Sequence, residues 1–230
     1  MSVVKKVRPL KARRPYDAGL RRQRARENRE RILVAAENRF LRDGYAPTTV
    51  AAIADDVGVS VDTIFKSFGG KPGIIRAIRE RALLGEAPVP AERRSDDLQA
   101  REPDPRRIIQ AWAAFTAELM PRAAPILLLL RDAASTDPEL RALLHEMDSD
   151  RLRRMTDNAR RLHRAGHLRE GIGVKQAADV LWTYSSPELY ELLVLRRGMP
   201  VATYGRFVAN AMTAALIHAS NKARVVTEAG

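Results

Sequence analysis

His163 and His167 stand four residues apart, a spacing that can place two imidazoles on one helix face for a metal. Gly166 lies between them and Leu168-Arg169 follows, so the helix ends where the pair would have to be held, and no third ligand is evident. They read as surface histidines. The stretch His145 to Asp150, HEMDSD, lacks the second histidine of a zinc-hydrolase helix. The chain has no cysteine, which removes disulfides and thiolate zinc and fits a reducing compartment. No glycine-rich phosphate loop, dinucleotide fingerprint or nucleophile elbow occurs. These residues make no catalytic, cofactor or metal case.

A different spacing has mechanical meaning. Ala54, Gly58 and Ile64 follow one another at intervals of four and six. A helix-turn-helix needs a small residue where its two helices cross, a glycine at positive φ in the turn, and an aliphatic plug beyond it. Ile53, Val57, Val59 and Phe68 supply the remaining apolar contacts. A simple helical hairpin shares this period, but so many matches together favour a DNA reader. The difficulty is charge: Asp55, Asp56 and Asp62 fall between Thr48 and Phe65, with no lysine or arginine among them.

The cations are elsewhere. The net charge is +12, and residues 1–26 hold ten cations (Lys5, Lys6, Arg8, Lys11, Arg13, Arg14, Arg21, Arg22, Arg24 and Arg26) against Asp17 alone. The other 204 residues carry 30 cations and 27 anions. Such a block serves as a tail for nucleic acid or, failing a partner, as a solvated terminus. Pro9, Pro15 and scattered valines do not make a membrane-surface helix. Apolar runs such as Ile126 to Leu130 fall far short of the roughly 20 residues of a membrane span, and no apolar signal segment follows the basic start. The expectation is a soluble cytoplasmic protein without a membrane partner.

The elements that must position these residues are all helices. Ile32, Leu33, Ala36, Phe40 and Leu41 recur at three- and four-residue intervals, predicting a helix from Arg21 to Asp43 that leaves Arg24, Glu27, Arg31 and Arg42 outward. Thr48 or Thr49 caps a second helix, Ser60 caps a third, and a fourth starts at Lys71-Pro72. Gly85 to Arg107 is rich in proline and charge and reads as a connection with a brief helix around Ala91 to Ala100. Pro121 and Pro125 are expected to kink or interrupt the next helix. Further helices are predicted from Asp137-Pro138 to about Leu162, Val174 to Tyr184, Ser186 to Gly198 and Val201 to Ala219. No segment alternates as a strand. The fold class is all-α, divided into a basic arm (1–20), a three-helix helix-turn-helix DNA-binding domain (21–80) and a helical C-terminal domain (81–230).

Residues 28–75 resemble the N-terminal domain of the TetR family of bacterial transcription regulators. Ala36, Phe40, Gly44, Tyr45, Thr48, Thr49, Ile53, Ala54, Gly58, Val59, Ser60, Phe65, Phe68, Lys71 and Ile74 carry the resemblance. It departs at Phe65, commonly a tyrosine whose hydroxyl reaches a phosphate, and at Ser67, often a histidine. It implies a homodimer on a palindromic operator in double-stranded DNA, with a C-terminal half that dimerises and holds a ligand pocket. The favoured function is therefore a repressor released by a small-molecule effector. The alternative is an architectural or nucleoid-type DNA binder with no effector, for which the basic arm would suffice.

Roles for individual residues follow from helix geometry. Thr48, Thr49 and Ser60 stand at helix starts, where hydroxyl, backbone N–H groups and dipole favour phosphate. Lys66 and Lys71 flank the recognition helix as phosphate contacts, and the Phe65 ring can pack on a sugar or thymine methyl. Val61, Asp62 and Thr63 occupy its first turn, which meets base edges. Asp62 either accepts from cytosine N4 or is an ordinary helix-start charge favoured by the dipole. For an apolar or aromatic effector the candidates are Trp112, Phe115, Met120, Met155 and Trp182, which equally suit plain core. The dimer candidates are Leu189, Leu192, Leu193, Ala209, Ala211, Ala214 and Ala215, with the same alternative.

Overall fold

A computed structural model of the chain describes residues 18–84 and 89–218. Helix α1 (Ala18–Asp43) is longer than its apolar pattern requires. None of residues 21–31 is buried, whereas Ile32, Leu33, Ala36 and Phe40 are almost wholly enclosed. The second half of α1 therefore belongs to a core and the first half projects from it. The predicted arm is divided accordingly: residues 18–20 are already helical, Arg21, Arg22, Arg24 and Arg26 ride exposed on α1, and Lys5 to Arg14 lie outside the described residues.

Thr49, not Thr48, caps α2 (Val50–Val57), its side chain accepting from Ala52 N–H. Gly58 takes a φ of 65°, which lets Val59 N–H reach Ala54 C=O and end the helix. Ser60 caps α3 (Val61–Phe68), and α4 (Lys71–Leu84) follows after two glycines. Ile53, Ala54, Val57, Ile64, Ile74, Ile75 and Ile78 close a core against α1. Gly73 is where α4 approaches α3, because a Cβ there would lie 1.7 Å from the Phe68 carbonyl oxygen.

Beyond residue 88 come α5 (Ala91–Arg101), α6 (Pro105–Ala133), α7 (Pro138–Arg164), α8 (Val174–Tyr184), α9 (Pro187–Tyr190) and α10 (Val201–Leu216). Asp104 and Asp137 cap α6 and α7, each followed by a proline in the first turn. Helix α6 joins the two halves. Its Ile126 and Leu130 are buried in the N-terminal core, while Ile108, Ile109, Trp112 and Met120 belong to the C-terminal one. By length and composition α6 could cross a membrane, but here it is the core helix against α4, α7 and α10.

Four expectations change. Pro121 and Pro125 do not interrupt α6, which runs through both; Met120, Ala123, Ala124 and Ile126 are buried around them, and this packing outweighs the lost backbone bonds. The segment from Gly85 to Arg107 is more than a connection, since Asp96 of α5 pairs with Arg154 and Arg161 of α7, and Arg94 pairs with Glu118 of α6. The helix predicted for Ser186 to Gly198 widens after Tyr190 into a π-turn, Glu191–Arg196. The last helix stops at Leu216, because Ile217 becomes extended and forms a bridge with Leu168.

Candidate nucleic-acid interface

Helix α3 turns two different faces outward and inward. Ile64 is fully buried and Phe68 half-buried, whereas Val61, Asp62, Phe65 and Lys66 are exposed together at intervals of one, three and four. Large apolar side chains exposed beside a charged pair make a surface that suits methyls, sugars and base edges. Ser60 Oγ accepts from Thr63 N–H and shares a 2.8 Å hydrogen bond with Thr63 Oγ1, so both hydroxyls are fixed at the helix start. Thr49 lies exposed at the start of α2 with the same capping geometry.

Two of the three aspartates are matched, Asp62 and Asp56. Lys66 Nζ stands 2.9 Å from Asp62, one turn along α3, and both are nearly as exposed as side chains can be. Such a pair contributes little stability and exchanges readily with a phosphate or a base. Arg39 of α1 makes a two-pronged contact with Asp56 of α2, and this hydrogen bonding holds the Asp56 carboxyl below its ordinary range. Asp56 therefore fastens α2 to α1. Among the three aspartates, only Asp62 lies on the presented face of α3.

Two arginines do work that the sequence reading did not assign. Arg31, expected outward, donates to the Val57 carbonyl at the end of α2. Arg29 donates to the Ser67 carbonyl near the end of α3 and lies 4.4 Å from the Phe68 ring centroid. Both place positive charge at the negative end of a short helix. An i,i+4 pattern confined to one helix carries no trace of these cross-helix bonds.

Two expected phosphate contacts point inward instead. Thr48 is almost completely buried and its hydroxyl donates to the Gly44 carbonyl, closing the α1–α2 loop. Lys71 donates to the Tyr45 carbonyl at 2.8 Å and rests over the Tyr45 ring, and desolvation lowers its pKa. The loop between α1 and α2 presents unmet carbonyls, and Lys71 is the cation within reach. Of the expected contact residues, Thr49, Ser60, Val61, Asp62, Phe65 and Lys66 are exposed and Thr63 is half-buried, beside the exposed arginines of α1.

Behind the reader, helices α4 to α8 and α10 enclose a cavity of about 240 Å³. Of the effector-pocket candidates, Trp112, Phe115, Met120 and Met155 line it. Trp182 does not: the Arg151 guanidinium covers its ring at 4.4 Å and donates to its carbonyl, and Arg151 is the residue that faces the cavity. Burial lowers the pKa of Arg151, partly offset by Asp148. The sequence pattern also missed Arg79 and Leu83, through which α4 contributes to the cavity wall.

Comparison with known proteins agrees with this geometry. Residues 32–78 match the family model described as bacterial regulatory proteins, tetR family. No curated protein matches the chain by sequence. Among solved structures, the SmeT–triclosan complex is 25% identical with a TM-score of 0.68, covering 84% of this chain and 93% of that one. SmeT is the repressor of the Stenotrophomonas maltophilia multidrug efflux pump SmeDEF. NalD, the secondary repressor of the MexAB-OprM efflux pump in Pseudomonas aeruginosa, is 19% identical with a TM-score of 0.67, covering 85% of this chain and 98% of its own. A Saccharomonospora viridis regulator in complex with choline is 20% identical with a TM-score of 0.63, covering 84% and 100%. The helix-turn-helix spacing, the capped recognition helix and the helical body behind it agree with the match over residues 32–78, and together they support a DNA-binding transcriptional regulator of the TetR family.

Proposed function

We propose that this regulator is a cytoplasmic homodimeric repressor that leaves a palindromic operator when a small apolar effector fills the cavity behind α4. The observation that carries this reading is the double membership of α4. Its Ile74, Ile75 and Ile78 are buried in the core that holds the recognition helix, while Arg79 and Leu83 on the same helix line the cavity. A rigid helix spans these residues in about 14 Å, so a shift at one end is a shift at the other. Arg81 binds α4 to Glu30 and Glu37 of α1, and Arg76 binds it to Glu146 of α7. An effector acts by favouring the α4 position that the cavity prefers when filled, and its leverage equals its differential affinity for the two positions.

Val61, Asp62 and Thr63 are assigned to base edges, Phe65 to a sugar or thymine methyl, and Thr49, Ser60 and Lys66 to phosphates. The basic residues before Ala18 add sequence-independent attraction. The dimer is assigned to the outer side of the C-terminal half, where Leu192, Leu195 and Phe207 are exposed at 52%, 53% and 41%. Leu193 and Ala209, expected at that interface, are buried within the chain. SmeT, solved with triclosan, supports an apolar occupant for the cavity.

Binding-site selection from random DNA tests the reading directly. A repressor selects an inverted repeat with half-sites about 34–36 Å apart, or a multiple of that, and prefers it at least about 10³-fold over random DNA at physiological salt. Equal retention of all sequences would instead establish the architectural alternative. Sedimentation of the protein on its selected site fixes the number of subunits bound.

A further inference from the structure

Helix α5 forms one wall of the cavity, to which it contributes Glu92 and Ser95. It is held there by other means than its neighbours. Ile108, Ile109 and Leu128 of α6 are buried, as are Leu140, Leu143 and Leu162 of α7. Among the described side chains of α5, Ser95 alone is buried, and Leu98, its one large apolar residue, is half-buried. Its N-cap is Pro90, which supplies no side-chain bond to the first turn. Helices in proteins draw most of their stability from an apolar face packed on a core, and α5 buries almost none.

Its attachment is ionic instead. Asp96 lies 2.9 Å from Arg154 and also pairs with Arg161, both on α7. Arg94 pairs with Glu118 of α6 at 2.6 Å, and its guanidinium lies 4.9 Å from the Phe115 ring centroid. Arg154 also donates to the Glu92 carbonyl, and Arg161 to the Gln99 side chain. The side chains of Asp96 and Glu118 are 39% and 34% exposed, so water and salt reach these pairs. Two buried donors on α5, Arg94 Nε and Gln99 Nε2, have no partner while it is docked, and water meets them on release. Ties of this kind fix a position but yield far more readily than a shared apolar core.

We propose that α5 is a movable wall of the cavity, fastened at Asp96, and that the cavity fills and empties when this helix releases α7. The contacts that fasten α5 also shape the space. Arg154 and Phe115, which Asp96 and Arg94 hold, are themselves cavity-lining residues. Release of α5 therefore withdraws Glu92 and Ser95 and frees two further lining side chains. This is a statement about access to the cavity, and it stands whether or not an effector controls DNA binding.

Hydrogen exchange of the full chain, read peptide by peptide, tests the movement. Acrylamide quenching of Trp112 in a Trp182→Phe background tests the opening, because Trp112 lines the cavity and is 6% exposed. Asp96→Asn is expected to speed exchange in α5 about tenfold and to leave α6 and α7 unchanged. It should also raise quenching of Trp112 about twofold. Asp96→Glu, which keeps the charge, should stay within about threefold of the native chain in both readouts. Sodium chloride at about 1 M, where the screening length is about 3 Å, should move the native chain in the same direction as Asp96→Asn. Exchange in α5 that Asp96→Asn leaves unaltered overturns the proposal. Acceleration spread equally over α5, α6 and α7 also overturns it, since α5 would then be part of the common core. Faster exchange in α5 with unchanged quenching of Trp112 overturns it as well, because the loosened helix would not be what closes the cavity.

Discussion

The two halves of the molecule treat buried polar atoms differently. Among the described residues, six buried side-chain nitrogen or oxygen atoms lack a partner, on Arg94, Gln99, Trp112, Asn158, Trp182 and Tyr204. All six lie in the C-terminal half, and none lies in α1 to α4. In the N-terminal half even the ends of short helices are met, by Thr49, Ser60, Arg29 and Arg31. A reader must hold one shape against a fixed partner, so every local choice there agrees with the fold. On the proposed reading the C-terminal half is instead a receiver that keeps a space open, and of the six atoms those of Trp112 and Asn158 belong to residues that line it.

The sharpest way to break the contrast is to disturb the N-terminal half where it has no slack. Gly73→Ala places a methyl within 1.7 Å of the Phe68 carbonyl oxygen, which separates α4 from α3. We expect a loss of about 2–3 kcal/mol in urea unfolding, with loss of DNA binding. Unfolding within 0.5 kcal/mol of the native protein would mean that this half has the looseness assigned to the other.

Electrostatics supply the next effect. Removing residues 1–17 deletes Lys5, Lys6, Arg8, Lys11, Arg13 and Arg14. The slope of log K against log salt should flatten by about 0.9 for each phosphate given up, with similar weakening on all sequences. An unchanged slope would leave DNA attraction to α1 and α3. Within α3, Val61→Ala and Asp62→Ala remove exposed groups, so stability should move by no more than about 0.5 kcal/mol. Each should instead change base preference at one operator position, by about 1–3 kcal/mol. If selection returns the native operator from both variants, the base-reading face has been misassigned.

The smallest effect is the most diagnostic of the receiver. Asn158→Leu replaces a buried amide whose Oδ1 is unpartnered with an apolar group of similar size. Unfolding should be unchanged or raised by up to about 1 kcal/mol, because no hydrogen bond is lost. A loss of more than about 1 kcal/mol would show that Asn158 is a structural group and that the contrast between the halves is overstated.

The sequence disclosed the reader more fully than the receiver. Ala54, Gly58 and Ile64 announce the crossing of α2 and α3 because a close helix pair admits few side chains at fixed intervals. Trp112, Phe115, Met120 and Met155 were legible as apolar helix positions, but periodicity cannot distinguish a filled core from a lined space. Trp182 shows this limit, since its helix spacing is sound and only Arg151 of another helix turns it away from the cavity. Lys71 and Thr48 show the converse, being polar residues beside the reading helix that the fold uses to hold a loop.

By itself, then, the sequence determined the all-helical class, the reading helix with its caps, and the concentration of positive charge ahead of α1. These are local properties, set by side-chain period, by hydroxyls at helix starts and by composition. Tertiary structure alone decided that α4 belongs to both core and cavity, that α6 continues through two prolines, that Asp56 binds Arg39, and that Trp112 and Asn158 are among the residues lining one cavity. Each of these depends on residues distant in the chain meeting at a few ångströms, and no local pattern encodes which helix becomes the neighbour.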